Sequence, residues 1–375
     1  MIFDIAVIGA GIVGAACAES FSSEGLQVVV IDAAPAVATG TTAAGMGHIV
    51  VMDDSEAQFA LTEYSRRLWN RLAPELPRSS EYEFCGTIWV AADEEEMNEV
   101  RRKQAFYEKR GVRCEILDEK SLRNAEPNLR KGLAGGLLVK EDSVVYQPCA
   151  TKFLIDKAVS NGAKLRLGKR VKTVSDDGVK LEDGEFVTAK KIINATGIGS
   201  SFLDEGLNVA KRKGHLVITD RYPGFVSHQL VELGYLKSAH GSDEDSVAFN
   251  IQPRITGQIL LGSSRQFGVN DSRIDHRILG RMIERAFGYM PGLRELSAIR
   301  AWTGFRPATP DNLPYIGLCP KFENVYLAAG HEGLGITTSL GTAQILTDLI
   351  LGRRPKIDCE PFSPSRIKPV QAAEG

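Results

Sequence analysis

The 375 residues, of which 43% are hydrophobic, suffice for one large core or two intergrown cores, and ordinary domain sizes favour two. The formal net charge of -2 and the pI near 6.4 exclude a strongly basic surface that would attract a nucleic-acid backbone. Six scattered cysteines without a C-x-x-C pair exclude the spacing of a zinc site and of a disulfide framework. We therefore predict no metal site, no nucleic-acid partner and a reducing, cytoplasmic location.

The amino-terminal residues are expected to belong to the fold itself. Residues 1–8 lack the basic segment and small-residue cleavage site of a signal peptide, and they lead directly into a glycine motif. No run approaches about 18 uninterrupted apolar residues, which predicts that no helix spans a membrane. Peripheral membrane association stays open.

A glycine motif follows the first predicted strand. Gly9, Gly11 and Gly14 have the G-x-G-x-x-G spacing and open a predicted helix over residues 12–23. The first glycine permits a tight turn, the second the approach of a pyrophosphate, and the third the packing of helix on strand. A second predicted strand ends in Asp32, whose carboxylate can bind a ribose hydroxyl and disfavours a 2′-phosphate. The pattern predicts dinucleotide binding by NAD or FAD; the alternative is a glycine turn that serves packing alone.

An amphipathic surface helix is predicted over residues 56–72. Its apolar residues recur at helical spacing, and Arg66, Arg67 and Arg71 are expected on the opposite, solvent-facing side. The segment before it, residues 39–48, contains hydroxylated and small residues whose backbone can lie close to a flat or phosphorylated ligand. An ordinary loop is the alternative for this segment.

Short strands alternate with helices through the rest of the chain, which indicates an α/β layer architecture without repeats. A helix is predicted over residues 152–160, with strands over 164–167 and 171–174. Asp183 and Gly184 predict a hairpin turn. A second hairpin is predicted at Thr256 and Gly257, between strands over 247–251 and 258–262.

Taken together, these segments resemble the D-amino-acid oxidase family of FAD enzymes, over nearly the whole chain. The family includes glycine oxidase, sarcosine oxidase and bacterial D-amino-acid dehydrogenases. Besides the glycine motif and Thr-Ala-Ala-Gly-Met at 42–46, the resemblance rests on Asn-Ala-Thr-Gly at 194–197, Gly-Phe-Arg-Pro-Ala-Thr-Pro-Asp at 304–311, Leu-Pro-Tyr-Ile-Gly at 313–317 and Gly-His-Glu-Gly-Leu-Gly-Ile-Thr at 330–337.

The resemblance implies a glutathione-reductase-type flavoprotein. In this α/β fold, a Rossmann-like, doubly wound FAD-binding domain with a parallel sheet carries a smaller antiparallel-sheet substrate domain. We expect the FAD-binding domain to comprise residues 1–84, 147–214 and 305–375, and the substrate domain residues 85–146 and 215–304. The loop 330–337 is expected to approach the flavin, followed by a helix over residues 338–351.

Noncovalent FAD is the cofactor that the resemblance implies. Ala43 and Ala44 stand where some relatives carry a flavin-linking Trp-His pair, and Cys319 is displaced from the position of a linking cysteine. The residues expected to contact FAD are Gly9, Gly11, Gly14, Asp32, Thr41, Thr42, Ala43, Gly45, Met46, Ala195, Gly197, Gly330, Gly333, Gly335, Ile336 and Thr337.

Arg306 is the residue that the resemblance assigns to the substrate carboxylate. A guanidinium offers two parallel hydrogen bonds, which fix orientation as well as charge. The alternative is an ion pair with Asp311 or another acid. Glycine oxidases carry a second arginine in the carboxyl-terminal loop where this chain has Gly333, so carboxylate binding rests on Arg306 alone or on a different donor.

Other candidates for the catalytic site are His48, His331 and Tyr235. His48 follows the hydroxyl-rich segment, and His331 lies in the expected flavin loop. Tyr235, with His240, is a candidate lid residue that would exclude water. Structural roles are the alternative for each of these side chains.

The reaction implied is hydride transfer from the carbon next to nitrogen to flavin N5, which needs no dedicated base if the amine binds neutral. Residues 252–265 and 330–338 look most like bacterial hydroxyproline-degrading dehydrogenases, which oxidise cis-4-hydroxy-D-proline and often work with small partner subunits. Glycine, sarcosine, D-alanine and proline are alternative substrates, and the large subunit of a hydrogen cyanide synthase is an alternative role. Oxygen, a quinone and a partner protein remain open as electron acceptors.

Two further alternatives belong to different classes. One is a noncatalytic FAD-binding assembly protein, which would keep the fold without turnover. The other is an NAD-dependent dehydrogenase, which would be colourless.

Overall fold

The amino-terminal βαβ unit has the predicted bounds. The computed structural model describes residues 1–202, 207–234 and 245–366. Strand β1 (Phe3–Ile8) leads through the glycine motif into helix α1 (Ile12–Ser23), and strand β2 (Val28–Ile31) follows. The predicted helix and second strand are confirmed.

Helices and strands alternate through the rest of the chain. The helices are α2 (Glu56–Leu72), α3 (Glu94–Glu108), α4 (Glu119–Ala125), α5 (Gln147–Ser160), α6 (His276–Tyr289) and α7 (Gly335–Ile350). The strands are β3 (His48–Ile49), β4 (Thr87–Ala91), β5 (Cys114–Asp118), β6 (Gly135–Val139), β7 (Ser143–Val144), β8 (Lys164–Arg166), β9 (Val171–Ser175), β10 (Gly178–Leu181), β11 (Phe186–Asn194), β12 (Ala210–Thr219), β13 (Gln229–Glu232), β14 (Ser246–Pro253), β15 (Ile259–Arg265), β16 (Ala298–Ala308), β17 (Tyr315–Leu318) and β18 (Val325–Ala329). No helix in the described ranges is long and apolar enough to cross a membrane.

The first sheet carries the glycine motif. Its strand order is β17-β18-β11-β1-β2-β8, and β1 runs parallel to both of its neighbours, β2 and β11. Helix α1 packs against α5 and α7 beside this sheet. The strand order reverses at β1, and ligands of open α/β sheets bind in the crevice at the carboxyl ends of the strands around such a point. The topology thus places the motif at the mouth of a binding crevice.

The second sheet is largely antiparallel. Its strand order is β16-β12-β15-β14-β13-β4-β6-β5, with β13 and β4 parallel to each other. The two sheets confirm the predicted α/β class with a parallel cofactor sheet and an antiparallel companion. The predicted domain boundaries near residues 214 and 305 fall inside β12 and β16, so the division between domains stays a prediction.

Both predicted hairpins are confirmed, with longer strands in the second. Strands β10 and β11 pair antiparallel around residues 183–184, and β14 and β15 pair antiparallel around residues 256–257. Strand β15 continues to Arg265, beyond the predicted end at residue 262. This extension brings Arg265 into the sheet.

Helix α2 has the predicted bounds, but the prediction for Arg66 is wrong. Arg66 is 2% exposed and forms ion pairs with Asp142 and Glu141. It lies four residues after Thr62 and three before Trp69, so it shares their buried helix face. Arg67 and Arg71 are exposed as predicted.

The carboxyl-terminal helix begins earlier than predicted. Helix α7 starts at Gly335, directly after a short 3-10 turn over Glu332–Leu334, rather than at residue 338. Glycine is a poor helix former, but α7 packs against α1 and α2, and tertiary packing outweighs local propensity. Gly335 and Ile336 therefore form the first turn of a helix.

Two glycines that lie within helices give a test of how closely α1 packs. A Cβ atom at Gly14 would overlap the carbonyl oxygen of Gly9, whereas a Cβ at Gly280, at an exposed position of α6, meets nothing within 4 Å. We expect Gly14→Ala to destabilise the protein and weaken cofactor retention, because α1 must move away from β1. Gly280→Ala should stabilise the protein by about 0.5–1 kcal/mol, because alanine favours a helix. Thermal unfolding and flavin content of the two variants check this, and a Gly14→Ala protein that matches wild type would contradict the close packing.

Candidate active site

A cavity of about 750 Å³ is lined by residues from both sheets. Its size lies in the range of roughly 300–1,000 Å³ that is usual for small-molecule sites. Of the residues predicted to bind cofactor or substrate, it is lined by Gly9, Gly11, Asp32, Thr41, Thr42, Gly45, Met46, His48, Ala195, Gly197, Arg306, His331, Gly333, Gly335 and Ile336.

One end of the cavity is formed by the glycine motif. Gly9 has a φ of +109°, and a Cβ atom there would lie 2.5 Å from the carbonyl oxygen of Ala195. Asp32 accepts hydrogen bonds from the amides of Ala10 (2.6 Å) and Ala34 (2.8 Å), which hold the turn. The first residues of α1 line the cavity; the Ile12 amide donates a hydrogen bond to the Thr42 hydroxyl (3.0 Å), and the positive end of the helix suits a pyrophosphate.

The middle of the cavity is formed by the segment 39–48. The Thr41 hydroxyl donates a hydrogen bond to the Phe305 carbonyl of β16 (2.9 Å). The Thr337 hydroxyl of α7 donates to the carbonyl of His48 (2.8 Å). These bonds tie the segment to the second sheet and to the carboxyl-terminal helix, so it spans the cavity from the motif towards Arg306.

The other end contains the carboxyl-terminal loop. His331 is buried, and its Nε2 lies 3.0 Å from the Thr342 hydroxyl of α7. Helix α7 begins at Gly335 without a side-chain cap at Leu334. A second positive helix end therefore faces the cavity, where it can stabilise negative charge on a ligand.

These features fit FAD. One positive helix end lies at the glycine motif, beside an acidic residue suited to a ribose, and another lies at the carboxyl-terminal loop. Gly11 and Gly333 present no side chain to the space between them. A long dinucleotide with a flat ring system matches such a cradle, in which the motif would hold the pyrophosphate and the carboxyl-terminal loop would approach the ring.

Arg306 lies on β16 and lines the same cavity. Its Nη1 donates a hydrogen bond to the carbonyl oxygen of Ser264 (2.9 Å), and Gly333 is adjacent to its aliphatic stem. Asp311 instead pairs with Arg366 (2.7 Å), so the alternative of an ion pair between Arg306 and Asp311 is wrong. The guanidinium keeps donors for a ligand, since one bond to a carbonyl uses only part of its fork.

A cluster of charges that the sequence did not predict surrounds Glu332. The carboxylate lies 3.6 Å from Arg212 and 3.9 Å from Arg265. Burial raises the pKa of Glu332, but the charges of Arg265, Arg306 and Arg212 outweigh burial and hold the pKa below its usual value. Arg212 stands directly opposite Arg306 in the sheet, a neighbour that only the strand register reveals. Arg265 lies beyond the predicted end of its strand.

The two candidate histidines are neutral at physiological pH. Burial, and then the charge of Arg306, lowers the pKa of His48 to about 4. Burial lowers the pKa of His331 to about 4. The Nε2 of His48 has no hydrogen-bond partner within the described residues, whereas that of His331 is bonded to Thr342. His48 is thus available to a ligand, and His331 supports the loop.

Some predicted residues do not line the cavity. Gly14 packs α1 against the glycine turn, Ala43 is exposed to solvent, and Gly330 and Thr337 are not part of the cavity lining. The carbonyl of Thr337 accepts a hydrogen bond from the Trp69 indole (3.1 Å), which fixes the first turn of α7. The candidate lid residues Tyr235 and His240 fall outside the described ranges.

Comparison with known proteins assigns the family. The model of a family described as FAD dependent oxidoreductase (DAO) matches residues 4–349. The chain belongs to this family. FAD is therefore the cofactor, the protein is an oxidoreductase, and the resemblance drawn from the motifs is confirmed.

Individual relatives match over nearly their full length. The chain is 26% identical to hydrogen cyanide synthase subunit HcnC of Pseudomonas aeruginosa, covering 99% of this chain and 98% of the relative. It is 26% identical to glycine oxidase of Geobacillus kaustophilus, covering 97% of each. The crystal structure of that glycine oxidase superposes with a TM-score of 0.87 at 25% identity, covering 97% of this chain and 99% of that one. L-proline dehydrogenase from P. horikoshii superposes with a TM-score of 0.86 at 23% identity, covering 97% of each chain.

FAD, when bound, would supply a two-electron hydride acceptor, and the residues of the cavity would supply its position and electrostatics. Cys319 is buried in an apolar core cluster away from the cavity lining, and noncovalent binding stays a prediction. Among the residues described, no group of His, Cys, Asp and Glu could hold a metal ion.

The neutral state of His331 gives a pH prediction. Between pH 6.5 and about 4 the unfolded chain binds a proton at His331 that the folded protein excludes. The free energy of unfolding therefore decreases as the pH is lowered through this window. The slope per histidine is at most about 1.4 kcal/mol per pH unit. We expect His331→Gln to show a shallower loss of unfolding free energy between pH 6.5 and 4 in denaturant titrations. His276→Gln, at an exposed helix position, is the matched control, and an undiminished slope in His331→Gln would contradict a buried neutral imidazole.

Proposed function

We propose that the protein oxidises an amino or imino acid at the carbon next to nitrogen. The main supporting observation is that Arg306 lines the cavity beside Gly333. Its guanidinium donates to the carbonyl of Ser264, whereas Asp311 pairs with Arg366. A guanidinium in that place suits a carboxylate, which every amino-acid substrate has. Relatives named glycine oxidase and L-proline dehydrogenase support the same class.

Each residue has a defined part in this proposal. Arg306 binds the substrate carboxylate and so positions the α-carbon, while Glu332 pairs with Arg212 and Arg265 and offsets part of the charge of the three arginines. Neutral His48 places no cation beside the amine. A neutral amine would lose a hydride from the α-carbon to the flavin, and the resulting iminium would release a proton from nitrogen to solvent, so the hydride step needs no dedicated base.

Within this class we propose cis-4-hydroxy-D-proline as the substrate and 1-pyrroline-4-hydroxy-2-carboxylate as the product. The proposal rests on the likeness of residues 252–265 and 330–338 to hydroxyproline-degrading dehydrogenases. These stretches contain Arg265 and the loop beside Arg306, so they form part of the cavity wall. Glycine, sarcosine, other D-amino acids and proline are the substrates against which the proposal must be tested.

We also propose that the chain works with partner subunits in the cytoplasm. The full-length match to a protein named as a subunit supports association with other chains. The six cysteines, which form no disulfide, suit a reducing compartment. Copurification of partner chains with the tagged protein, followed by analytical size-exclusion chromatography, tests the association.

Anaerobic bleaching tests the proposed reaction. The purified yellow protein is mixed without oxygen with D- and L-amino and imino acids, including cis-4-hydroxy-D-proline, and loss of visible absorbance is recorded. We expect cis-4-hydroxy-D-proline to bleach the flavin fastest. A protein that no member of the panel reduces would contradict the proposed activity and favour the noncatalytic assembly protein.

Arg306→Lys tests the carboxylate site. Lysine keeps the charge and loses the planar fork, so we expect KM to rise and kcat/KM to fall roughly tenfold to a hundredfold. Arg300→Lys, at an exposed position on the same strand, is the matched control and should leave both constants unchanged. Unchanged kinetics in Arg306→Lys would show that the carboxylate binds elsewhere.

A further inference from the structure

A wall of the cavity is formed by neutral polar side chains. Gln58, Trp89, Gln229 and Asn250 line the cavity and are only 2–8% exposed. In each, a polar atom lacks a hydrogen-bond partner among the residues that the structure describes: Oε1 of both glutamines, Nε1 of the indole and Oδ1 of the asparagine. An unpaired buried polar atom is costly, so a ligand that bonds to these atoms recovers free energy.

The strand register brings three of these side chains, Trp89, Gln229 and Asn250, to one face of the second sheet. Trp89 of β4 stands opposite Val231 of β13, and Val231 stands opposite Asn250 of β14. Directly opposed residues point to the same face of a sheet, and so do residues two apart on one strand. Gln229, two residues before Val231, therefore shares that face. The unpaired atoms of Trp89, Gln229 and Asn250 therefore form one patch on the second sheet, and Gln58 of α2 lines the same cavity.

A buried lysine packs against the indole ring of the patch. The ammonium of Lys103 is fully buried and lies 4.4 Å from the centre of the Trp89 ring, while it is paired with Asp53. A buried cation against an aromatic face restricts the orientation of the ring. The indole Nε1 is thereby held in a fixed direction, as expected for a preorganised binding surface.

The patch is separate from the residues assigned to FAD. Strands β4, β13 and β14 carry none of the residues predicted to contact the cofactor, which lie on the first sheet, the segment 39–48 and the carboxyl-terminal loop. His48, whose Nε2 also lacks a partner within the described residues, lies at the end of that segment and lines the same cavity. Asp54 lines the cavity too, but it is exposed to solvent. The buried part of the patch is uncharged and suits a neutral polar group.

We propose that this patch binds a hydroxyl group of the substrate, and that Asn250 and Gln229 set a preference for hydroxylated over unsubstituted amino or imino acids. A hydroxyl both donates and accepts, which matches amide oxygens beside an indole N–H. A substrate without the hydroxyl leaves these atoms unpaired, and such sites discriminate strongly. The inference rests on the proposed function and narrows its substrate class.

The test compares substrate pairs that differ by one hydroxyl. Anaerobic stopped-flow reduction of the flavinated protein is measured with cis-4-hydroxy-D-proline against D-proline, and with D-serine against D-alanine. We expect wild type to prefer the hydroxylated member of at least the cyclic pair. Asn250→Leu should lower that preference roughly tenfold, and Gln229→Met, a second variant of similar shape, should lower it in the same direction.

Gln252→Met is the matched control. Gln252 lies two residues after Asn250 on β14, is fully buried and has amide atoms without partners in the described ranges, but it does not line the cavity. The control should keep the wild-type preference. If both members of a pair reduce the wild-type flavin equally fast, or if the preference survives Asn250→Leu and Gln229→Met, the proposed hydroxyl site is wrong. The proposed oxidation would still stand. A protein that no amino or imino acid reduces contradicts the oxidation, and the patch with it.

Discussion

The segment 39–48 is anchored by two threonine hydroxyls, and the geometry of the site depends on them. Thr41 bonds to the Phe305 carbonyl in the second sheet, and Thr337 bonds from α7 to the His48 carbonyl. Two further bonds hold the same segment: the Ile12 amide donates to the Thr42 hydroxyl (3.0 Å), and the Gln147 side-chain amide donates to the Gly45 carbonyl (2.8 Å). The bonds to the Gly45 and His48 carbonyls fix the backbone of the segment itself, and the Thr41 bond ties the segment to β16. The segment can therefore present small residues to a flat ligand.

The local parts of the fold could be predicted from the sequence, because local signals determine them. The bounds of α1, β2 and α2 follow from glycine spacing and apolar periodicity. The predicted start of α7 was wrong because packing against α1 and α2 extends the helix through Gly335. The burial of Arg66 was missed because its partner Asp142 lies far along the chain. In each error, a tertiary contact outweighed a local preference.

The candidate site, like the fold, could be predicted only in part from the sequence. Its motifs were visible as sequence, and most of their residues line the cavity. Arg212, Arg265 and Glu332 were missed as a group, because only strand register and the length of β15 bring them together. The unpaired atoms of Gln229 and Asn250 were equally hidden, since nothing in a short stretch of sequence says which face of a strand meets a cavity. Such residues need the topology of the second sheet.

Charge and polarity divide the cavity into regions with different tasks. Arg212, Arg265 and Arg306 outnumber Glu332, so the end near β16 keeps a positive character that suits a carboxylate, while the glutamate reduces the cost of burying several arginines together. The wall on β4, β13 and β14 is neutral. A carboxylate bound at Arg306 would fix the α-carbon, which is common to all amino acids, whereas the neutral wall would meet the part in which they differ. Reaction and selectivity would then depend on different strands, so the wall could vary without disturbing the hydride-transfer geometry.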